Sequence, residues 1–279
     1  MSRTVTDVVT GQPAVDGAGV RLVRVLGQRD VRTFDPFLML DSFDTDDPAD
    51  VRAGFPMHPH RGIETITYLA RGRVSHRDSL GNSGVIEGGQ AQWMCAGSGI
   101  LHEEMPDPTG SMLGVQVWLN LPAAEKMARP AYNAIVDVPE TRVGDALVRV
   151  VGGSCNGVRG FSGDHLPATF LDVQLPAGGK ATLPVAAGEG AFLFLLDGDA
   201  LVGERRYRAK SALALSDDGD EVGVAAPADA PARVLLLSAP RLREPVAWGG
   251  PIVMNTQAEL YQAFEDLDSG TFVRERPAE

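Results

Sequence analysis

The sequence has very little of several features that would mark an extracellular or membrane protein. Only two cysteines, Cys95 and Cys155, occur in 279 residues, so they cannot build a disulfide framework. No apolar run reaches the 18 or so residues of a membrane-spanning helix, and residues 1–10 contain no apolar segment of the secretory type. These absences predict a soluble, cytoplasmic protein with no membrane insertion.

Positive charge is also scarce in the sequence. The 25 lysines and arginines face 37 aspartates and glutamates, which gives a formal net charge of −12. An acidic surface repels phosphate backbones and anionic lipids unless it carries a local basic patch. The densest basic cluster, Arg205, Arg206 and Arg208, is too short to form such a patch. We therefore expect no direct binding to nucleic acid or to a membrane.

Glycine and proline, in contrast, are plentiful and evenly spread. The 32 glycines and 19 prolines interrupt the chain at roughly the eight- to twelve-residue spacing that is typical of short strands in a sandwich or barrel. Between them lie runs of β-branched, aromatic and aliphatic residues, at 63–69, 113–121, 147–151, 192–196 and 234–237. This pattern predicts an all-β fold.

One segment near the end is predicted to be helical. Thr256 and Glu259 fit a capping box, in which each side chain accepts a backbone N–H at the start of the helix. Gly270 would end it, and the apolar residues between recur at helical spacing, at Leu260, Phe264 and Leu267. A shorter helix is also predicted over residues 122–127.

The length of the chain is sufficient for two domains. Residues 123–143 mix charge and proline with little periodicity, as a linker does. The likeness between the two halves is weak, and a single continuous sandwich fits the pattern about as well as a duplicated barrel. We place the boundary inside this stretch, which predicts domains at residues 1–130 and 131–279.

Histidine occurs only five times, and the placement of these residues is informative. His58 and His60 form a His-x-His pair, and His102 and Glu104 form a His-x-Glu pair. Residues two apart in a strand point to the same face, so two adjacent strands would bring three imidazoles and one carboxylate together. This donor set suits a first-row metal, and four ligands on an octahedral ion leave two positions open. Pro59 favours the alternative of surface histidines near an edge strand or turn.

The remaining titratable residues near these pairs receive weaker interpretations. Glu64 continues the alternation of the first pair, which allows it a supporting role on the same face. His76 and His165 have no partner at metal-ligand spacing and are interpreted as core or surface residues. Glu103 lies inside the second pair and is predicted to point away from the ligands.

Longer segments around these pairs resemble the motifs of one protein family. Residues 55–65 (FPMHPHRGIET) and 92–106 (QWMCAGSGILHEEMP) resemble the two metal motifs of the pirin family, a branch of the cupin superfamily. Further likeness lies at residues 35–41, 116–122 and 244–256. Together these segments extend over nearly the whole chain.

The resemblance implies two tandem antiparallel cupin barrels of the jelly-roll type, with the short helix at the C-terminal end. It implies that His58, His60, His102 and Glu104 hold one divalent metal in the N-terminal domain. Fe(II) is the metal expected from the family, with Zn, Ni, Cu, Mn or Co as alternatives. Because the second domain has no His-x-His pair, we expect it to lack metal ligands.

Bacterial pirins often show quercetin 2,3-dioxygenase activity, so the resemblance implies an enzyme that opens a flavonol-like aromatic substrate with dioxygen. Glu104 is then the candidate catalytic base. Residues near the motifs are nominated to line the substrate pocket, namely Phe55, Met57, Trp93, Met94 and Gln116.

Two other functions are considered beside the dioxygenase. A metal- or redox-sensing regulator would bind an enzyme or transcription factor without turnover. A cupin-type isomerase acting on sugar phosphates ranks last, because Arg61 is the only basic residue inside the two metal motifs. Two linked barrels can be complete in one chain, so we expect a monomer.

Overall fold

The computed structural model describes residues 1–107 and 110–275. Within these residues the chain forms short β-strands and a single α-helix. In chain order the elements are β1 (Val5–Thr10), β2 (Gln12–Asp16), β3 (Val20–Leu26), β4 (Phe37–Thr45), β5 (Phe55–His60), β6 (Ile63–Arg71), β7 (Arg73–Asp78), β8 (Ser83–Glu87), β9 (Ala91–Cys95), β10 (Ile100–Pro106), β11 (Met112–Asn120), β12 (Ala131–Ile135), β13 (Glu140–Val143), β14 (Ala146–Gly152), β15 (Ser154–Cys155), β16 (Val158–Arg159), β17 (Thr169–Leu175), β18 (Lys180–Pro184), β19 (Glu189–Asp197), β20 (Ala200–Val202), β21 (Arg205–Tyr207), β22 (Ser211–Leu215), β23 (Glu221–Ala225), β24 (Ala232–Pro240), β25 (Ala247–Gly249), β26 (Ile252–Met254) and α1 (Gln257–Asp268).

These elements form two compact units, each assembled from three segments. The first unit consists of Pro13–Arg24, Phe37–Val136 and Leu242–Glu279, and the second of Met1–Gln12, Val25–Pro36 and Asp137–Arg241. The boundary predicted at 130/131 remains a prediction about sequence domains. The compact units divide the chain at another point, after Val136. β12 pairs with β9 and so joins the sheet of the first unit.

The first unit contains a seven-stranded sheet of order β12-β9-β6-β11-β4-β3-β2 and a four-stranded sheet of order β5-β10-β7-β8. Neighbouring strands around β11 and β10 run antiparallel. Buried apolar side chains from both sheets pack into one core, formed by Val20, Leu22, Phe43, Val51, Leu69, Val74, Ile86 and Met112. Two antiparallel sheets over a shared core are the arrangement of the predicted jelly-roll barrel.

The centre of the larger sheet in the first unit carries an unusual row of buried polar side chains. Every residue of β11 and of β9 is buried, and the strand between them, β6, is nearly as enclosed. Gln116 on β11 lies opposite Thr67 on β6, which in turn lies opposite Gln92 on β9. Because side chains at paired positions share a face, these three polar groups line one side of the sheet. A buried polar row needs internal partners, and the candidate site supplies them.

The second unit repeats the two-sheet pattern. Its sheets have the orders β1-β22-β19-β24-β17-β14-β13 and β18-β23-β20-β21, and a large apolar core includes Leu171, Leu193, Leu213 and Leu236. His165 is the only histidine in its sequence. This unit therefore has no pair of imidazoles.

The predicted C-terminal helix is confirmed as α1. Thr256 Oγ1 accepts the backbone N–H of Glu259 at 3.2 Å, while Glu259 Oε2 accepts that of Thr256 at 2.8 Å, which completes the capping box. The helix predicted at 122–127 is only a 3₁₀ turn over Ala123–Glu125. With 12 residues α1 is too short to cross a bilayer, and no other helix in the described ranges could do so.

Candidate metal centre

Three neighbouring strands of the four-stranded sheet bring the predicted ligands together. β10 lies between β5 and β7, and its His102 is directly opposite His58 on β5. On the other side, Glu104 is opposite His76 and His102 is opposite Asp78. Pro59 is accommodated because β5 is an edge strand, where a residue without an N–H is tolerated. The strand pairing thus places the His-x-His pair beside the His-x-Glu pair.

The three imidazoles converge on one point. Each can offer one ring nitrogen, and these nitrogens all lie within 4.8 Å of one another. The ring centroids of His58 and His102 are 4.4 Å apart, and those of His60 and His102 are 5.0 Å apart. The Nε2 atoms of His58 and His60 are separated by 3.1 Å. Three nitrogens at such distances can share a single small cation.

Backbone carbonyls fix the tautomers of two of these rings. The Nδ1 of His58 is 2.8 Å from the Pro56 carbonyl oxygen, and the Nδ1 of His60 is 3.0 Å from that of Pro251. A carbonyl only accepts hydrogen bonds, so both Nδ1 atoms carry a hydrogen and both Nε2 atoms of the neutral rings carry a bare lone pair. Two lone pairs 3.1 Å apart repel each other, and a cation between them removes that repulsion.

His102 has the most enclosed ring of the three. It is fully buried, and neither ring nitrogen has a hydrogen-bond partner among the described residues. Burial and the neighbouring imidazoles hold the pKa of His102 well below its usual range, and the same causes lower the pKa of His60 to about 3. Both rings are therefore neutral at pH 7, which is the form that binds metals. An unpartnered buried polar ring is costly, and a metal bond would offset that cost.

Glu104 lies on the same strand as His102 but is held by a different set of contacts. Its Oε1 is 2.7 Å from the Thr67 hydroxyl and also accepts a hydrogen bond from the Gln92 side-chain amide. The cluster of converging donor atoms consists of the three imidazoles without this carboxylate. The side chain is buried next to them, so its role as fourth ligand remains a prediction.

A third pair, which was not predicted from the sequence, lies on the same four-stranded sheet. His76 Nε2 donates to Asp78 Oδ2 at 3.2 Å, and Asp78 also accepts the backbone N–H of Asn82. The His76 ring stacks on Tyr132 at 4.1 Å and lies 5.4 Å from the ring of His102. His76 is buried, in agreement with the core alternative given for it, but it does have a partner two residues away. The His-x-Asp spacing, which equals that of the His-x-Glu pair, could have revealed this partner in the sequence.

Two of the residues predicted to line the pocket lie close to the ligands. The Phe55 ring is 6.4 Å from that of His58, and Gln116 Oε1 lies next to the Thr67 hydroxyl that contacts Glu104. Met94 is two residues from Gln92 and shares its face of β9. Met57 is 42% exposed and lies on the surface rather than in an enclosed slot.

Trp93 and Glu64 lie on one face of the seven-stranded sheet, and Gln92 and Thr67 lie on the other, next to Glu104. This differs from the expectation that Trp93 lines the pocket and that Glu64 supports the ligands. Trp93 alternates with Gln92 along β9, and its Nε1 donates to Glu64 Oε2 at 2.9 Å. Glu64 was placed beside the ligands by counting alternate residues from His58, but residues 61 and 62 interrupt the strand between β5 and β6. The alternation therefore does not carry across that break.

Two tryptophans near the ligands were not nominated from the sequence. The Trp118 ring is 5.0 Å from His60, and Trp248 lies 5.6 Å from Trp118. Trp118 is on β11, and Trp248 is on β25 near the end of the chain. Both belong to segments that resemble the pirin family, at residues 116–122 and 244–256. That likeness was the sequence feature from which their place near the site could have been predicted.

Comparison with known proteins decides the family. Residues 19–119 match the family described as Pirin, and residues 170–273 match the pirin C-terminal cupin domain. A pirin-like protein of Caulobacter vibrioides is 46% identical over 276 residues, which span 97% of this chain and 99% of the relative. The chain belongs to the pirin family. The recognition from its motifs is thereby confirmed.

Two solved structures share the fold of this chain. A crystal structure of quercetin 2,3-dioxygenase from Acinetobacter baumannii is 32% identical with a TM-score of 0.88, covering 98% of this chain and 99% of that one. A bacterial pirin of Escherichia coli in complex with nickel(II) has a TM-score of 0.64 at 20% identity, over 84% of this chain and 99% of that one. The predicted all-β architecture of tandem cupin barrels is confirmed.

Proposed function

We propose that this pirin is a non-haem Fe(II) dioxygenase of the quercetin 2,3-dioxygenase type, acting on a flavonol-like aromatic substrate. The observation that carries the proposal is the convergence of His58, His60 and His102. One ring nitrogen from each lies within 4.8 Å of the others, and neither nitrogen of the buried His102 ring has a hydrogen-bond partner among the described residues. The 32% identity to a quercetin 2,3-dioxygenase supports the choice of substrate class.

The residues present fit a divalent metal. Three imidazoles, with the carboxylate of Glu104 next to them, form a donor set that suits Fe(II) and also accepts Zn, Ni, Cu, Mn or Co. His58, His60 and His102 would hold the ion, with Glu104 as the fourth ligand we propose. When bound, the metal would act as a Lewis acid that stabilises the substrate's oxyanion and would support reaction with dioxygen.

The chain's own residues then handle the substrate's proton and its orientation. Glu104 is the proposed base: the O–H bond of the flavonol hydroxyl breaks, its proton passes to a carboxylate oxygen, and the electron pair stays on the substrate oxygen. Thr67 and Gln92 keep the carboxylate in place through hydrogen bonds. The rings of Phe55 and Trp118 next to the ligands offer apolar contacts for a flat aromatic molecule.

The proposal is tested by dioxygen consumption with quercetin, using protein reconstituted anaerobically with Fe(II). We expect uptake that depends on both metal and quercetin and is lost in His58→Ala. Uptake that persists in the metal-free variant would contradict the mechanism. No uptake by fully loaded wild-type protein would favour the regulatory function, and capture of protein partners would come next.

Replacing Glu104 with glutamine is expected to lower kcat by about 100-fold or more, because loss of a general base typically costs that much. The glutamine oxygen can still accept from Thr67, so the fold and most of the metal content should persist. Steady-state kinetics with parallel metal analysis measures both quantities. Glu103→Gln is the matched control. Glu103 Oε1 forms an ion pair with Arg77 Nε at 3.0 Å, and its side chain alternates with those of His102 and Glu104 along β10, so it points away from the candidate ligands. Unchanged kcat in Glu104→Gln would remove this residue from the proton transfer.

A further inference from the structure

The end of the first unit contacts the metal motifs at several points. Residues 247–275, here called the C-terminal segment, comprise β25, β26, α1 and the residues after it. The carbonyl of Pro251, between the two strands, accepts the Nδ1–H of His60 at 3.0 Å. This bond selects the His60 tautomer whose Nε2 lone pair faces His58. A residue about 190 positions away in the sequence thus controls which nitrogen of a candidate ligand is available.

The next residue along the first motif is anchored in the same segment. The side chain of Arg61 is buried, and its Nη1 donates to Asp266 Oδ2 on α1 at 2.7 Å. Its Nη2 donates to the Phe272 carbonyl at 3.0 Å, and its Nε donates to the carbonyl of Ser98 at 2.8 Å. Ser98 belongs to the turn before β10, which carries His102. One guanidinium therefore joins both metal motifs to the C-terminal segment.

Strand β26 is held against the first motif by three further hydrogen bonds. The Val253 N–H donates to the Arg61 carbonyl at 3.1 Å. Lys126 Nζ donates to the carbonyls of Gly62 and Val253, at 2.8 and 2.9 Å. Because Pro251 is two residues before Val253, these contacts fix the position of its carbonyl relative to His60.

We propose that Asp266, Arg61 and Pro251 are positioning residues that set the metal affinity of the centre by locking His60 in its Nδ1–H tautomer. The inference rests on the proposed metal centre and adds the C-terminal segment to it. When the Asp266–Arg61 pair is broken, α1 and the preceding strand β26 lose one of their bonds to the first motif, the Pro251 carbonyl is held less firmly, and His60 populates the other tautomer more often. In that form Nε2 carries the hydrogen and cannot bind a metal. Partners that orient a ligand in this way typically contribute about 10- to 100-fold in affinity.

The test uses Asp266→Asn in the full-length chain, with Ni(II) as a redox-inert probe. Competition with a chromophoric chelator is expected to show about tenfold weaker Ni(II) binding than in the wild type. In the metal-free wild type, ¹⁵N NMR of the histidine rings should show His60 as the Nδ1–H tautomer, and the variant should show a mixture. Asp268→Asn is the matched control, since it removes the same charge from an exposed position on α1 and should leave both readouts unchanged.

The outcomes separate this inference from the proposed function. Wild-type protein that binds no Ni(II) through its histidines would overturn the metal centre itself. Binding by the wild type together with an unchanged affinity and tautomer in folded Asp266→Asn would overturn only the positioning role. Since Asn leaves a buried cation without its counter-charge, circular dichroism checks folding, and Lys126→Met replaces the variant if it does not fold. An Nε2–H tautomer of His60 in the metal-free wild type would refute the inference without any variant.

Discussion

Replacing His102 with alanine is expected to abolish metal loading and turnover together while leaving the chain folded. The ring is fully buried on the central strand β10, opposite His58, and both its nitrogens lack partners among the described residues. Alanine removes one of three converging donors, so we expect affinity to fall by more than the roughly 100-fold that loss of an outer partner can cost. It also removes an unsatisfied buried polar group, which offsets part of the cost of the cavity it leaves.

Metal analysis after anaerobic loading with Fe(II), followed by dialysis, measures the outcome for His102→Ala. His165→Ala is the control, because it removes the histidine of the second unit and should retain one metal per chain. Thermal unfolding of the metal-free proteins checks that loss of metal is not loss of structure. One equivalent of tightly bound metal in folded His102→Ala would mean that the converging imidazoles are not the metal site.

The parts of the structure that depend on local pattern could be predicted from the sequence. Strands such as β6 and β19 follow from runs of β-branched and aromatic residues between turn signals, and α1 follows from its capping box. The approach of His58, His60 and His102 to one another follows from strand alternation, which is a property of the backbone itself. Glu104 as a fourth ligand stays a prediction. For these features the necessary information lies within a few consecutive residues.

Alternation fails where the strand is interrupted, and this explains the displaced residues. The count from His58 to Glu64 passes through Arg61 and Gly62, where β5 ends and β6 begins. Glu64 therefore lies on the other face of the sheet and binds Trp93 instead of supporting the ligands. The family motif marked Trp93 by proximity in sequence, and proximity does not specify a face.

The supports of the candidate site are distant in sequence and could not be predicted from local pattern. The Arg61–Asp266 pair joins residues 205 positions apart, and the His60–Pro251 bond joins residues 191 apart. Such contacts depend on how β26 and α1 pack in the finished unit. The sequence carried one indirect sign of them, in the family likeness of residues 244–256.

Because β26 packs closely on the first motif, we expect Gly62→Ala to lower the free energy of unfolding strongly. Gly62 has φ +79°, and a Cβ there would lie 2.0 Å from the carbonyl oxygen of Val253. The left-handed backbone alone costs a non-glycine residue about 1–2 kcal/mol. The overlap with Val253 is with backbone rather than a flexible side chain, so β26 must move as well. We expect a total loss of about 3–5 kcal/mol in the free energy of unfolding.

Gly270→Ala separates the two causes of that loss. Gly270 has φ +75° in the same unit, and a Cβ there would meet nothing within 4 Å in the described part of the chain. Its substitution should therefore cost only the backbone term of about 1–2 kcal/mol. Urea unfolding followed by tryptophan fluorescence reports on this unit, because Trp93, Trp118 and Trp248 all lie in it. Equal losses in the two variants would show that the contact between Gly62 and β26 contributes nothing to stability. A larger loss in Gly62→Ala, accompanied by weaker Ni(II) binding, would show that the same close contact supports both the fold and the metal centre.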